Sequence, residues 1–593
     1  MISRRAKAGL LAGAALLIAI PALSQESPES LLPPGFGDPQ ALPPPAERTP
    51  AQPQAPRPDA PRPDAAAQPA EQESGGISPE EALLERPRPT NYFAIPDGEA
   101  RPTDLVGPLP GGRYGLGPDA FGPDQGALSA EIMRRLDAPL PSRWTSILLR
   151  RALMSRLQAP AGINPVDWVA ERADLLLRMG EADAARMLVQ AVDQQNYTPR
   201  LIEVAARTAL ATADPAALCP LVGTTRGANR GAVWSLAEAM CAALESEPAR
   251  AAALADQARA QGGIDLALAE KVIGAGASSR RAAAVSWDGV NELTPWRFGL
   301  ASATGTEIPA PLIGNAGLPM RAWFARAPMV PLEQRLEAAS IAAALGIFSS
   351  SALVQLHSLA FDLTDVAEQG GTVAARLRIA WAGAGPTERL TALRGLWTEP
   401  ADPRGRYARL ILTSGAAARI PVSADHASDA ANLIAAMLAA GMDAEAARWA
   451  DTAQGDDRAW ALLAVGAPGA AVDLGAGRIE TYIGNDDSAD GIRARMLVAA
   501  LVGLGKVGDA DGQRLASAAG LSIGAADRWA NAIDQAARQR QPGTVVLLAG
   551  LGMQTDHWGS VPPRHLFRIV RALRAVGLDF EARMIAAEAI ARL

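Results

Sequence analysis

The sequence NPVDWVAERADLLLRMGEADAARMLVQAV, Asn164 to Val192, reads as two helices joined by a glycine turn. Asn164 can cap a helix whose first residue, Pro165, has no N–H to leave unpaired. Trp168, Ala173, Leu175, Leu176 and Met179 follow at helical spacing. Gly180 interrupts the run, and Ala184, Met187, Leu188 and Ala191 form a second apolar stripe. Neither helix buries its stripe alone, so the hairpin predicts neighbours of its own kind. Arg172, Asp174 and Arg178 face away from the Leu stripe. They are expected at the solvent surface, either as part of a binding face or simply keeping the helix soluble.

The turn is written again further along. Gly180 is followed five residues later by Ala185, Gly441 by Ala446, and Gly577 by Ala582. Further small or branched residues succeed them at packing positions: Val189 and Val192, Ala450 and Ala453, Ala586 and Ala589. This unit resembles the second half of a tetratricopeptide repeat, although the copies are unevenly spaced and the aromatics of that repeat's first helix are mostly missing. In an Ala-rich chain the same spelling also serves any helix-turn-helix. The expected fold is all-α: an irregular, tetratricopeptide-like solenoid of helical hairpins behind a disordered Pro-rich segment.

Composition supports an extended array. The chain has 593 residues, 49% hydrophobic but only 4% aromatic, so its core is built mainly from Ala, Leu, Val and Ile. Small side chains let helices approach closely. A formal net charge of −7 argues against a general nucleic-acid binder. Lysine occurs only at Lys7, Lys271 and Lys506, so nearly all basic residues are Arg. That usage fits either bidentate recognition of anions or a GC-rich genome.

Residues 1–24 have the order of a secretory signal: Arg4, Arg5 and Lys7, an apolar stretch from Ala8 to Ile20, then Ala22-Leu23-Ser24 with cleavage before Gln25. The mature protein is therefore expected in the periplasm, touching the membrane only if the signal stays uncleaved. Residues 25–104 are Pro- and Ala-rich, with PRPDA in tandem from Pro56 to Ala65, and are expected to form a disordered tether. Helical repeats should fill 105–286 and 332–593. A cluster of prolines marks 287–331 as an irregular connector. Glu399 to Ser428 is a second irregular patch, and Thr544 to Leu548 is the one β-like run. Cys219 and Cys241 are the only cysteines. On antiparallel neighbours in an oxidising compartment they are expected to bridge; the alternative is two buried thiols.

Motifs of chemistry are sparse. The histidines, His357, His426, His557 and His565, show no metal-ligand spacing, and no cofactor or metal is expected. Gly503-Leu-Gly-Lys-Val-Gly508 spells the dinucleotide fingerprint, but a helix, not a strand, is expected before it. Leu551-Gly-Met-Gln554 resembles a broken motif of lytic transglycosylases. That family needs a Glu acid upstream, and no Glu lies between Glu480 and Glu581. The leading expectation is a non-enzymatic protein that binds another envelope protein through its helical surface. The alternative is a cell-wall-related enzyme or enzyme regulator with its site in the irregular loops, drawing on Asp402, Arg404, Arg406, Tyr407 and His426.

Overall fold

Helical patterning becomes 29 α-helices and one two-stranded ribbon among the residues that the computed structural model describes, which are 98–593 except 113, 224–231, 260–261 and 277–283. The fold is all-α. The expected signal segment (1–24) and the tether up to residue 97 lie outside the described residues. Where description begins, Arg101 donates through its backbone N–H and its side chain to Asp193.

The opening hairpin forms as read. Helices span Pro165–Arg178 and Ala182–Val189, and the Asn164 side chain accepts from the N–H groups of Val166 and Asp167. Gly180 takes φ +88°, and the next residue, Glu181, donates back to the Leu176 carbonyl. This left-handed turn satisfies carbonyls that a helix end leaves free, and glycine adopts it without steric cost. Gly441 (φ +79°) and Gly577 (φ +81°) do the same, with Met442 and Leu578 donating back to Met437 and Leu573. A Cβ on Gly180 would also meet the Ile347 side chain at 2.8 Å. The alanines five residues on, Ala185, Ala446 and Ala582, are fully buried. The second stripe rotates from its expected position: Ala185, Leu188 and Val189 are buried, whereas Met187 is 51% exposed.

Three sequence expectations are corrected. Thr544–Leu548 is not a strand but lies in a helix, Pro542–Leu551, and its residues are buried. A continuous apolar run does not distinguish a buried helix from a strand, and here burial on all sides decides. The only strands among the described residues are Leu105–Val106 and Leu157–Gln158, paired antiparallel. Prolines in the two irregular patches mark helix starts: helices span Pro295–Ala303, Ala310–Asn315, Leu318–Phe324 and Pro403–Ala417, each with Pro in its first turn.

Arg172, Asp174 and Arg178 are the third correction. Arg172 is fully buried, and its guanidinium donates to the carbonyls of Val106, Leu153 and Ser155. Arg178 donates to the carbonyls of Met133 and Leu136, ending the Gly126–Arg135 helix. Asp174 is buried between Arg178, Arg200 and Arg207. The polar face of the first helix is covered because Gly126–Arg135 packs on it from one side and Pro199–Ala211 from the other.

The same use of arginine recurs. Arg143 donates to Ala343 and Ala439, near the ends of the helices Leu332–Ala344 and Ala430–Ala439. Arg389 and Arg583 reach Ala380 and Gly466, which also lie at or near helix ends. Orphan carbonyls and the negative end of a helix dipole favour a cation with several donors. These arginines therefore serve helix termini.

Helix Arg143–Met154 draws the array closed. Its N-terminus receives the Glu588 carboxylate, which accepts from Ser142 Oγ at 2.7 Å, Arg143 N at 2.8 Å and Trp144 N at 3.0 Å. Its flank packs on Pro542–Leu551 and on the last helix, Asp579–Arg592. In an open solenoid each repeat touches only its neighbours; here the end of the array is fastened to its beginning. One apolar core runs through it, from Val106 to Ile590.

Candidate functional site

A cleft of about 900 Å³ opens against the last helix. Its walls come from five separate segments: Trp397–Leu410, Asn432, Asp456–Arg458, Tyr482–Arg493 and His557–Gly559, with Ile590–Leu593 completing it. Its size suits a small ligand or a short stretch of chain.

The acidic side chains of the cleft are already engaged. Asp456 Oδ1 caps the helix Asp457–Gly466 by accepting from Arg458 N and Ala459 N. Asp457 accepts from Arg478 at 2.7 Å and from Asn485 at 2.9 Å. Asp486 accepts from Ser488 N and Ala494 N, and Arg493 pairs with both Asp486 and Asp487. Burial opposes ionisation of Asp457 and Asp486, but these hydrogen bonds outweigh it and hold both carboxyls below their usual range.

The cationic side retains donor capacity. Arg458 donates to Asn432 Oδ1 at 2.9 Å and has no carboxylate in salt-bridge contact among the described residues. Its concave surroundings depress its pKa by desolvation, which Asp456 opposes and Arg493 reinforces. Among the described residues Arg406 donates only to the carbonyls of Pro400 and Ala401. Arg592 lies over the Tyr407 ring, 4.7 Å from its centroid, and pairs with Glu588. Tyr407 Oη and Trp558 Nε1 are buried without hydrogen-bond partners among the described residues. Burial, then the charge of Glu588, pushes the Tyr407 hydroxyl pKa upward, so it remains a donor. Unspent N–H and O–H groups facing saturated carboxylates favour an acceptor-rich guest.

Of the five loop residues expected to form an enzyme site, two line this cleft, Arg406 and Tyr407. Asp402 caps the Pro403–Ala417 helix through Gly405 N, and Arg404 faces a neighbouring hollow with Arg321. His426 sits in a separate short turn, Ala424–Asp429. Asp456, Asp457, Arg458, Tyr482, Asp486 and Arg493 escaped the sequence reading. For four of them the signal was polar runs, Asp456-Asp-Arg458 and Asn485-Asp-Asp487, that resemble ordinary helix boundaries.

The remaining candidates have structural positions. Cys219 and Cys241 form a disulfide with a Cα–Cα distance of 5.3 Å. The Gly503–Gly508 stretch follows the helix Ile492–Gly503, and Gly505 (φ +63°) makes the same left-handed turn as Gly180. Gln554 pairs with the backbone of Asp137 through both its amide oxygen and its amide N–H. His565 bonds the Gly552 carbonyl and stacks on Trp529, while His557 lines the cleft and bonds Ser560. Comparison with known protein families, curated proteins and solved structures finds no match to this chain.

Proposed function

We propose that this is a non-enzymatic helical-repeat protein of the cell envelope, exported to the periplasm, that works by binding another protein. The observation that carries the reading is the division of labour in the cleft. Its carboxylates are spent on capping and ion pairs, which suits a binding wall better than acid–base chemistry. Its arginines and aromatics keep contact area and donors for a guest, and such groups anchor protein interfaces. The disulfide fits an oxidising compartment. The helical array resembles the tetratricopeptide scaffold in its Gly180/Ala185, Gly441/Ala446 and Gly577/Ala582 turns, a scaffold that lends itself to holding partners.

The test is site-specific photo-crosslinking in intact cells, with the reactive residue at Asn432 or Asn485 and a control at Asp451. Both cleft asparagines contribute to its wall, whereas Asp451 is exposed outside it. A discrete protein adduct from the cleft positions only is expected. Equal labelling from all three, or none, refutes the reading. A second reading, a cell-wall-related enzyme, draws on the presence of Arg406 and Tyr407 in the cleft. Turnover of muropeptides or simple esters that Arg406→Ala abolishes would establish it instead.

A further inference from the structure

Away from the cleft, the helices Leu332–Ala344, Ser350–Leu363 and Val373–Ala382 and the start of Pro403–Ala417 enclose a second hollow of about 570 Å³. Its lining is unlike that of the cleft. Leu336, Ala360, Val373 and Ala374 make an apolar floor, and Glu333, Glu337, Glu368 and Asp402 supply acid. Glu333 and Glu368 have no ion-pair partner among the described residues. Glu337 meets Arg321 at 3.3 Å but is itself 78% exposed. The one cation in the lining, Arg409, is committed to Glu399 at 2.9 Å.

His357 closes the floor. It is 5% exposed, and its Nε2 has no hydrogen-bond partner among the described residues. Burial, with the charge of Arg409, lowers its pKa to about 4 against the opposing charge of Glu399, so the ring is neutral near pH 7. A neutral imidazole can accept a hydrogen bond where an imidazolium cannot.

Beside this hollow the chain exposes apolar side chains in sequence. Leu359 is 44% exposed, Leu363 71% and Val366 84%, with Asp362 and Asp365 between them. Leu359 and Leu363 are one helical turn apart on one flank of the helix that carries His357. Exposed Leu and Val beside unpaired carboxylates are unfavourable for a surface with no partner. Among the described residues no group of three or more His, Cys, Asp or Glu is arranged to hold a metal ion. An anionic membrane surface would be repelled.

We infer that this surface docks a basic, apolar-bearing segment of a protein partner: an Arg or Lys side chain enters the acidic hollow, and neighbouring apolar residues cover Leu359, Leu363 and Val366. The alkyl stem of the guest lies along Leu336, Ala360 and Val373, and its charged head meets Glu333 and Glu368. Such a division of one side chain between apolar stem and charged head is usual for long cations. Charge complementarity fixes the sign of the partner, and the flanking Leu pair makes it a polypeptide rather than a small cation.

The inference rests on the interaction reading above, and it is tested on the full chain with a fluorescein-labelled 12-residue peptide carrying Arg and Leu at helical spacing. Fluorescence anisotropy should show saturable binding. The Glu333→Lys/Glu368→Lys double variant and Leu363→Asp should each weaken it at least tenfold with the thermal midpoint unchanged. A double reversal elsewhere on the surface, Asp451→Lys/Asp509→Lys, should alter it less than twofold. Equal loss from both charge reversals would mean general attraction to an acidic protein and would overturn the inference. So would binding insensitive to Leu363→Asp, or no binding by the wild type. Self-association of the wild type that Leu363→Asp abolishes would assign the surface to a second copy of this chain and likewise overturn it. A cleft-specific crosslink with no peptide binding would reject this surface alone; absence of the cleft crosslink would reject the broader reading.

Discussion

Glu588 should be the most sensitive single carboxylate in the fold. It stands on the last helix with its side chain wholly buried, and it accepts from Ser142 Oγ, Arg143 N, Trp144 N and Arg592. Replacing it with Ala strips acceptors from two buried backbone N–H groups at a helix start and from one hydroxyl. An unsatisfied buried donor costs about 1–3 kcal/mol, and breaking a buried charged network costs about 3–5 kcal/mol in all. Glu588→Ala should therefore lose about 4 kcal/mol, allowing for partial relaxation. Glu588→Gln retains the shape and one acceptor oxygen but loses the charge facing the positive helix end, and should lose about 1–3 kcal/mol. Urea unfolding followed by circular dichroism gives both values, and hydrogen exchange at the Arg143 and Trp144 amides localises them. A loss below 1 kcal/mol for Glu588→Ala, or unchanged protection of those two amides, would refute the idea that this carboxylate fastens the ends of the array.

Four further outcomes are expected. Arg172→Ala should cost about 3–5 kcal/mol in the same urea assay, because three backbone carbonyls lose their donor in a buried site. Ala185→Asp, which places a charge in a fully buried helix contact, should lower helicity and the thermal midpoint together, read by circular dichroism. Intact mass measured without reductant should be two hydrogens below that of the reduced chain, and removing the Cys219–Cys241 bridge, 22 residues apart, should cost about 3 kcal/mol in thermal unfolding. His357 has a folded pKa near 4, below its unfolded value of 6.5, so its contribution is intact above pH 6.5 and is lost as pH falls towards 4; between pH 7 and 4.5 that loss is about 2.5 kcal/mol, and His357→Phe should show a correspondingly flatter stability profile.

Local rules carried the reading far where the cause is local. Asn164 before Pro165 caps a helix, and Gly180, Gly441 and Gly577 adopt the positive φ that their turns require. The same turn made by Ala213, Ser246 and Arg540, at φ 53°, 65° and 55°, left no trace in the sequence, because those residues carry no preference for it. Arg172 shows a different limit. Helical periodicity places it opposite the Leu stripe, but the ribbon of Leu105–Val106 and the helices packed around it come from elsewhere in the chain. Only tertiary contact reveals that a charged face has been folded inside. Met187 is the converse case, apolar by type and left outside by a stripe that turns towards Ala185 and Val189.

The cleft was illegible because its walls come from segments far apart in the chain. No local motif unites Arg406, Arg458, Asp486 and His557; they come from separate segments that pack around the last helix. Arg592 links the cleft to the Glu588 contact: it bonds Glu588 and the Pro141 carbonyl on one side and stacks on Tyr407 in the cleft wall on the other. Loosening the Glu588 contact should therefore weaken binding in the cleft before it unfolds the array. A contact surface assembled from distant segments can carry specificity without any sequence signature, since its residues need only match in space. Substitutions at Glu588 would then reduce crosslinking from Asn432 and Asn485, while peptide binding at the Glu333/Leu363 surface, built from helices Leu332–Ala344 and Ser350–Leu363, persists.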